Sequence, residues 1–296
     1  MNILRTPEAR FHNLPDYPFA PHYHEPAPGL RLHYVDEGPR EAAPVLMLHG
    51  EPTWSYLYRH MIPPVVAAGL RVLAPDLIGF GKSDKPAARA DYSYARQVAW
   101  VRNWMEQLDL RNITLVCQDW GSLIGLRLAA ESPQRFARIL LGNGGLPVGG
   151  VKVPRAFALW RAFARWSPVF PIGRIVQTGT RRRLSAEEVA AYEAPFPGTR
   201  FKVAARVYPT LVPVTANDPA NEANRRAWQV FEAWDKPFIT CFSNGDPITR
   251  GIDQQFLARV PGTRGQPHTT LSGGHFLQED DPQRFAQLII AACGNG

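Results

Sequence analysis

The chain has 296 residues, of which 45% are apolar and 20% are charged, and this composition is ordinary for a globular protein. Its length allows one large hydrophobic core plus an inserted module. The net charge of +7 does not indicate nucleic-acid binding, because the 33 Lys and Arg residues are scattered and their one cluster, at 181–183, lacks flanking aromatics and should be a solvated face.

The first half of the chain alternates strand and helix patterns. The predicted strands lie around Tyr23 and at 32–35, 45–48, 71–74, 113–116 and 138–141, and the predicted helices lie at about 55–68, 93–108 and 123–128. The fully apolar run at 45–48 is typical of a strand buried on both faces. The alternation predicts an α/β fold with a mostly parallel sheet covered by helices on both faces.

The pattern changes after Leu146. Residues 147–216 contain eight prolines and short helical stretches without strands of the earlier kind, so we interpret them as a helical cap insertion. The core then resumes with a helix near 217–234, strands at 237–242 and 267–271, and helices at about 250–260 and 281–292. The predicted division is a core part at 1–146, a cap at 147–216 and a second core part at 217–296.

The stretch at 113–128 predicts a strand that turns directly into a helix. Cys117 and Gly121 are small residues that let strand and helix approach at such a bend, with Asp119 at its apex. The pattern is the G-x-S-x-G nucleophile elbow of the α/β hydrolases, with aspartate in place of serine. Ser122 lies one turn inside the helix, so it is not the elbow nucleophile. The alternative is that Asp119 only caps the helix.

An aspartate at the apex favours chemistry at saturated carbon. A carboxylate that displaces a leaving group from an sp³ carbon forms an alkyl ester, which water can hydrolyse at the aspartyl carbonyl. A serine would leave an ether that no general base could cleave. Asp119 therefore predicts substrates with a leaving group on an alkyl carbon, rather than amides or ordinary esters.

Asp246 and His275 each follow a later strand, as Asp119 follows an earlier one. Ligands of open parallel sheets bind at the carboxyl ends of strands, and the chain order nucleophile, acid, histidine is that of α/β hydrolases. We predict that His275 takes a proton from the hydrolytic water and that Asp246 fixes the ring tautomer and stabilises the imidazolium. Taken singly, His275 could be a loop histidine and Asp246 a turn residue before Pro247.

The elbow also predicts an oxyanion hole. One donor is the backbone N–H of Trp120, which follows the nucleophile, and the other is the backbone N–H of Glu51 in the loop after the strand at 45–48. The side chain of Glu51 could instead serve as a spare acid near the site.

The leaving group is predicted to be a halide. A halide needs N–H donors in a dry pocket, and the indole of Trp120 supplies one without adding charge. In the cap, Phe157, Trp160 and Phe163 share a helix face with Ala164. We expect Trp160 to be the second halide donor, with Trp166 as the alternative, and Phe157 and Phe163 to line the pocket. The stripe could also be ordinary cap core.

Five segments resemble the haloalkane dehalogenases: HGEPTWSYLYR at 49–59, GFGKSDKP at 79–86, QDWG at 118–121, APFP at 194–197 and GGHF at 273–276. The likeness runs from about residue 3 to residue 290 and is closest to the subgroup whose acid follows the seventh core strand. The QDWG and APFP segments are fairly specific, whereas the G-F-G-x-S pattern is shared with many hydrolases.

The resemblance implies an eight-stranded α/β-hydrolase sheet, a helical cap and no cofactor. It also implies Asp119 as nucleophile, His275 as base, Asp246 as acid, and Trp120 with Trp160 as halide donors. Two departures are that the family often has glycine at the place of Ser122 and a second acidic or bulkier residue near Asn244.

Two other functions fit parts of this pattern. An epoxide hydrolase shares the elbow aspartate, the following tryptophan and the histidine, and it needs acidic cap tyrosines, for which Tyr192 and Tyr208 are available. A hydrolase-fold binding protein without turnover is the second alternative, and the intact Asp–His–Asp set argues against it. The residue Glu51 after His49-Gly50, together with Trp160, favours the dehalogenase.

The remaining features of the sequence bear on the cellular location and the partners of the protein. No run of about 18 apolar residues predicts a membrane span, and the N-terminal stretch has no apolar region typical of a signal peptide. Cys117, Cys241 and Cys293 give neither a disulfide framework nor metal-ligand spacing. We expect a cytoplasmic monomer whose partners are a small halogenated alkane, water and a halide ion, with no bound metal, nucleic acid or membrane.

Overall fold

One eight-stranded sheet forms the centre of the computed structural model, which describes residues 1–150 and 153–294. The strands in chain order are β1 (Ile3–Leu4), β2 (His22–Ala27), β3 (Leu30–Glu37), β4 (Pro44–Leu48), β5 (Arg71–Pro75), β6 (Lys85–Pro86), β7 (Ile113–Asp119), β8 (Phe136–Gly144), β9 (Phe238–Ser243) and β10 (Thr269–Leu271). Eight of them follow the spatial order β10-β9-β8-β7-β4-β5-β3-β2. The two-residue strands β1 and β6 form a separate antiparallel pair that the sequence pattern did not predict.

The sheet is mostly parallel, as predicted. Strands β4, β5 and β7 to β10 pair in parallel, while β2 and β3 run antiparallel at one edge. Strand β4 is buried along its whole length, which explains its unbroken apolar sequence. The register pairs Leu48 at the end of β4 with Cys117 near the end of β7. The loop after β4 therefore starts beside the end of β7. The mostly parallel eight-stranded sheet confirms the predicted α/β-hydrolase fold class.

Helices cover the sheet in two layers, in which α2, α3 and α8 pack together and α1 packs on α11. The helices are α1 (Ile62–Ala67), α2 (Tyr94–Gln107), α3 (Trp120–Glu131), α4 (Arg155–Trp166), α5 (Ile172–Thr178), α6 (Ala186–Glu193), α7 (Val203–Leu211), α8 (Asn221–Glu232), α9 (Asp253–Arg259), α10 (Leu277–Asp280) and α11 (Pro282–Gly294). Within the described ranges, no helix has both the length and the apolarity that a membrane span requires.

The single helix predicted at about 55–68 is wrong. The structure has a short 3-10 helix at Ser55–Tyr58, a turn, and then the six-residue α1. Pro63 and Pro64 are the reason, because proline lacks the backbone N–H that a helix interior needs and is tolerated in the first turn. They lie in the first turn of α1, so a new helix begins there.

Helices α4 to α7 lie between β8 and β9, and α4 packs on α7 while α5 packs on α6. No strand occurs among the described residues of 147–216. The predicted ranges 147–216 and 217–296 include residues 151–152 and 295–296, which lie outside the described residues. The division into core and cap with these boundaries stays a prediction.

A buried ion cluster joins this helical segment to the sheet domain. The guanidinium of Arg59 lies 2.6 Å from Glu279 Oε1 in α10 and 2.6 Å from Glu188 Oε1 in α6. Arg182 contacts both carboxylates, and the hydroxyl of Tyr192 donates to Glu279. The solvated face expected at 181–183 therefore holds only in part, because Arg182 keeps 32% exposure but pairs with Glu188 and Glu279. Burial of Glu279 disfavours its charged form, but Arg59 and Arg182 outweigh this effect and lower the pKa of its carboxyl group.

We expect Glu279→Ala to destabilise the protein by about 3–5 kcal/mol, because removing one partner leaves buried charge uncompensated. The side chains of Arg59 and Glu279 are both 0% exposed, so solvent cannot replace the lost contact. Urea unfolding followed by tryptophan fluorescence measures the change. The matched control is Glu222→Ala, because its pair with Arg226 is exposed (75% and 66%) and should lose less than about 1 kcal/mol. Equal losses in the two variants would contradict the expectation.

Candidate active site

Asp119 stands at the bend between β7 and α3. Its φ of 49° and ψ of −126° lie in a region that residues other than glycine rarely adopt, so the backbone is strained there. A side chain at Gly121 would place its Cβ 1.9 Å from the carbonyl oxygen of Leu48. The bend therefore depends on glycine at 121, and the geometry is that of the predicted elbow.

The loop after β4 supplies a hydrogen-bond donor to Asp119. The backbone N–H of Glu51 donates to Asp119 Oδ1 over 2.7 Å. A Cβ at Gly50 would lie 2.4 Å from that same carboxyl group, so glycine is needed for the approach. His49 fixes the loop, since its Nδ1 donates to the carbonyl of Gly50 and its Nε2 accepts from the N–H of Leu77. The predicted oxyanion donor at Glu51 thus lies beside the predicted nucleophile.

His275 lies between two carboxylates. Its Nδ1 is 2.9 Å from Asp246 Oδ2, and its Nε2 is 3.5 Å from Asp119 Oδ2. Three strand ends bring these groups together, because Asp119 ends β7, Asp246 follows β9 and His275 follows β10. The side chain of Asp246 is fully buried, whereas that of Asp119 keeps 22% exposure and is open to a substrate. The structure therefore brings all three predicted catalytic residues into one site.

Charge in the site favours an ionised Asp246 and a protonated histidine. Burial works against ionisation of Asp246, but His275 and hydrogen bonds from Thr249 and the backbone N–H of Ile248 lower its pKa to about 2. Burial likewise opposes protonation of His275, but Asp246 and Asp119 outweigh it and raise its pKa to about 10. Asp246 therefore accepts the Nδ1–H bond as a carboxylate, and Nε2 is the ring nitrogen that faces Asp119.

We expect Asp119→Asn to lower the pKa of His275 by about 1–3 units. The pKa of His275 should fall because Asp119 favours the charged imidazolium, and removing the charge of Asp119 makes the ring proton easier to lose. A titration of the ring nitrogens by NMR measures the shift, with Asp235→Asn, an exposed aspartate, as the control. A pKa of His275 that stays unchanged or rises in Asp119→Asn would contradict this account of the site.

Trp120 follows Asp119 directly in the chain, and Trp160 lies beside Glu51. Trp120 is 2% exposed, and its ring packs against Tyr94 and Tyr208 with centroid distances of 5.3 and 4.6 Å. Burial and the neighbouring Asp119 raise the pKa of Glu51 well above its usual range, and the indole of Trp160 acts in the opposite direction. The surroundings of Glu51, which lies near both Asp119 and Trp160, therefore favour its neutral form.

The other predicted cap aromatics differ in exposure. Trp160 stacks on Phe163 at a centroid distance of 5.8 Å and lies 5.6 Å from Phe170. Phe157 is half-buried, whereas Phe163 is 38% exposed at the edge of this group. Trp166, the alternative second donor, is 73% exposed and lies on the outer surface. Trp160 is thus the better placed of the two predicted cap donors.

Ser122, one of the two departures from the resemblance, strengthens the elbow. Its hydroxyl donates to the carbonyl of Asp119 over 2.5 Å and accepts from the N–H of Gly145 over 2.8 Å. It therefore ties the nucleophile's backbone to the chain that follows β8. Asn244, the second departure, is exposed, and its backbone N–H pairs with Leu271.

Sequence analysis assigned no role to Gln118. The structure places its side-chain nitrogen 3.0 Å from Nε2 of His275. Its place next to the nucleophile in the QDWG segment was the only available signal, and that signal does not say which way the amide points. Within residues 1–150 and 153–294, no group of three or more His, Cys, Asp and Glu side chains is arranged to hold a metal ion.

Comparisons with known proteins agree with this geometry. Residues 43–282 match the family described as alpha/beta hydrolase fold. The chain is 55% identical to a haloalkane dehalogenase of Psychrobacter cryohalolentis, over 98% of this chain and 97% of that protein. It is 52% identical to one from Mycobacterium marinum, over 98% and 99% of the two chains. Among solved structures, the tetrameric haloalkane dehalogenase DpaA from Paraglaciecola agarilytica has a TM-score of 0.91 at 33% identity, covering 100% of this chain and 99% of that one.

Proposed function

Since this chain belongs to the haloalkane dehalogenases of the α/β-hydrolase fold, we propose that it hydrolyses haloalkanes through a covalent alkyl ester on Asp119. The observation that carries the proposal is the pair of contacts made by one carboxylate. Asp119 Oδ1 accepts from the backbone N–H of Glu51, while Oδ2 faces Nε2 of His275. The two oxygens therefore have different environments and different roles.

In the first step, Oδ2 attacks the alkyl carbon that carries the halogen. The new carbon–oxygen bond forms as the carbon–halogen bond breaks, and the halide leaves with the bonding electron pair. Oδ1 becomes the carbonyl oxygen of the ester and keeps the hydrogen bond from Glu51. The halide accepts from the indole N–H groups of Trp120 and Trp160. The raised pKa of Glu51 supports this role, because it favours the neutral form of a carboxyl group that would repel the departing anion if it were ionised.

In the second step, water attacks the ester at the Asp119 carbonyl carbon. His275 Nε2 takes the proton of the water, and Asp246 stabilises the imidazolium through the bond to Nδ1. Negative charge develops on Oδ1, which accepts from the backbone N–H of Glu51, and the backbone N–H of Trp120 is the proposed second donor. Collapse of the intermediate releases the alcohol, a primary alcohol where the halogen is terminal, and restores Asp119. The proton of His275 passes to solvent.

Alkylation itself prepares the base for this step. Esterification removes the charge of Asp119, which is one of the two charges that raise the pKa of His275. The pKa of the ring therefore falls when the ester forms, which favours release of the Nε2 proton to solvent before the step that needs a base.

The epoxide hydrolase alternative needs a tyrosine hydroxyl aimed at the substrate oxygen. Tyr192 donates its hydroxyl to Glu279 in the buried ion cluster, and Tyr208 directs its hydroxyl to the carbonyl of Ile78 at 3.4 Å. Burial raises the pKa of both phenols, which makes them poorer acids. These contacts favour a leaving group that requires no proton.

We expect incubation with a terminal bromoalkane to release equal amounts of bromide and primary alcohol, measured by ion chromatography and gas chromatography. An epoxide incubated in parallel should not yield a diol. Diol from the epoxide without bromide from the bromoalkane would favour the epoxide hydrolase, and binding without product would favour the inactive binding protein. Either result would overturn the proposal.

A further inference from the structure

Gln118 makes a contact with His275 that the mechanism above does not use. It is the fully buried residue before Asp119 in β7. Its Nε2 lies 3.0 Å from the ring nitrogen Nε2 of His275 and 3.2 Å from the backbone carbonyl oxygen of the same residue. One amide group therefore contacts His275 at both its ring and its backbone.

The backbone contact fixes which way the amide faces. A carbonyl oxygen can only accept, so the nitrogen end of the Gln118 amide must point towards His275. The reversed amide would place two oxygens against each other in a buried site. With this orientation, an N–H of Gln118 points at the ring nitrogen. That ring nitrogen can accept the bond only when it carries no proton, so this contact suits neutral imidazole and opposes imidazolium.

The charged groups around the ring have the opposite preference. Asp246 contacts Nδ1 at 2.9 Å, and Asp119 faces Nε2 at 3.5 Å. Glu51, from the loop after β4, is the third acid near the ring, and burial raises its pKa, which favours its neutral form. The two carboxylates therefore favour the protonated ring, and Gln118 is the neighbour that favours the unprotonated one.

We propose that Gln118 is a positioning residue that favours the neutral, base-ready form of His275 against the two carboxylates and yields the Nε2 lone pair to the hydrolytic water once Asp119 is alkylated. This inference rests on the proposed roles of Asp119 and His275. The amide has two hydrogens, so it keeps its bond to the His275 carbonyl while the water replaces it at the ring. The ring is thereby held in place during the exchange.

Two substitutions at Gln118 test the proposal. Gln118→Leu removes the donor, and we expect the pKa of His275 to rise by about one unit, since one net hydrogen bond to the neutral form is lost. Gln118→Glu keeps the shape but offers an acceptor to a protonated ring, so its shift should be larger. The acid limb of the pH profile of kcat should move to higher pH in the same order. Titration of the ring nitrogens by NMR reads the pKa without turnover.

Asn143 offers a matched control, because its side-chain nitrogen donates to the same His275 carbonyl at 2.9 Å but does not contact the ring. Asn143→Ala should weaken the anchoring of the loop and leave the pKa of His275 in place. An unmoved pKa in Gln118→Leu, or an equal shift in Asn143→Ala, overturns the proposal. Both pKa shifts can be measured even if the parent protein releases no halide. The absence of halide release would reject the proposed function and not the role of Gln118.

The bond between Gln118 and the His275 ring can also be tested in the parent protein, without any substitution. In the parent protein labelled with ¹⁵N, a bond from the Gln118 amide to the neutral ring should give scalar coupling between the two nitrogens above the pKa of His275. Absence of that coupling while the ring is neutral would also overturn the proposal.

Discussion

Replacement of His275 by alanine is expected to stop turnover after the first chemical step and to trap the alkyl ester on Asp119. The attack of Oδ2 on the alkyl carbon needs no base, so halide is released once per enzyme molecule. Hydrolysis then lacks the group that takes the proton of the water, and general-base catalysis contributes about 10²–10⁴-fold. Mass spectrometry of the peptide that contains Asp119 should show the added alkyl group.

Two controls sharpen that experiment. The double variant Asp119→Ala/His275→Ala should show neither the adduct nor the single release of halide. His275→Gln retains a donor for the buried Asp246 carboxylate, so it should trap the ester even if the alanine variant unfolds. An unmodified peptide accompanied by stoichiometric halide release would defeat the covalent scheme.

Asp119→Ala should have the largest effect on activity, with a loss of bromide release of at least about 10⁴-fold. No neighbouring group replaces the lost carboxylate, because Asp246 lies on the far side of the ring and burial favours the neutral form of Glu51. Steady-state halide release measures the effect. Asp109→Ala is a matched control, because Asp109 also has a positive φ, of 43°, but is paired with arginines at the surface.

The comparison separates the removal of the nucleophile from the relief of backbone strain, since both substitutions replace a strained aspartate. Asp109→Ala should retain the parent rate. Parent-level bromide release by Asp119→Ala would remove the nucleophile from the mechanism altogether.

The local sequence pattern was enough to predict the strand ends on which the site residues lie. The apolar runs of β4 and β7 are long, and the small residues Cys117 and Gly121 mark the bend. The helix predicted at 55–68 is wrong because Pro63 and Pro64 interrupt it despite its apolar spacing. Strands of two residues, such as β1 and β6, are too short to show any periodicity.

Contacts between distant parts of the chain had no such signal. Gln118 and His275 are 157 residues apart, and Arg59 and Glu279 are 220 apart. The sequence names these residue types but not which of them meet, because their pairing is set by the order of the strands and the packing of the helices. The role proposed for Gln118 therefore depends on the three-dimensional structure, whereas the role proposed for Asp119 follows from the local sequence.

The buried ion cluster bears on how a substrate gains entry. A lid motion that swung α6 outward would separate Glu188 from Arg59 and Tyr192 from Glu279, so two bonds to buried charged groups would be lost. Helix α4 is held differently, since Arg161 and Arg206 tether it through bonds to backbone carbonyls. Displacing α6 would therefore cost more than displacing α4, because the arginine bonds that hold α4 end on uncharged backbone carbonyls.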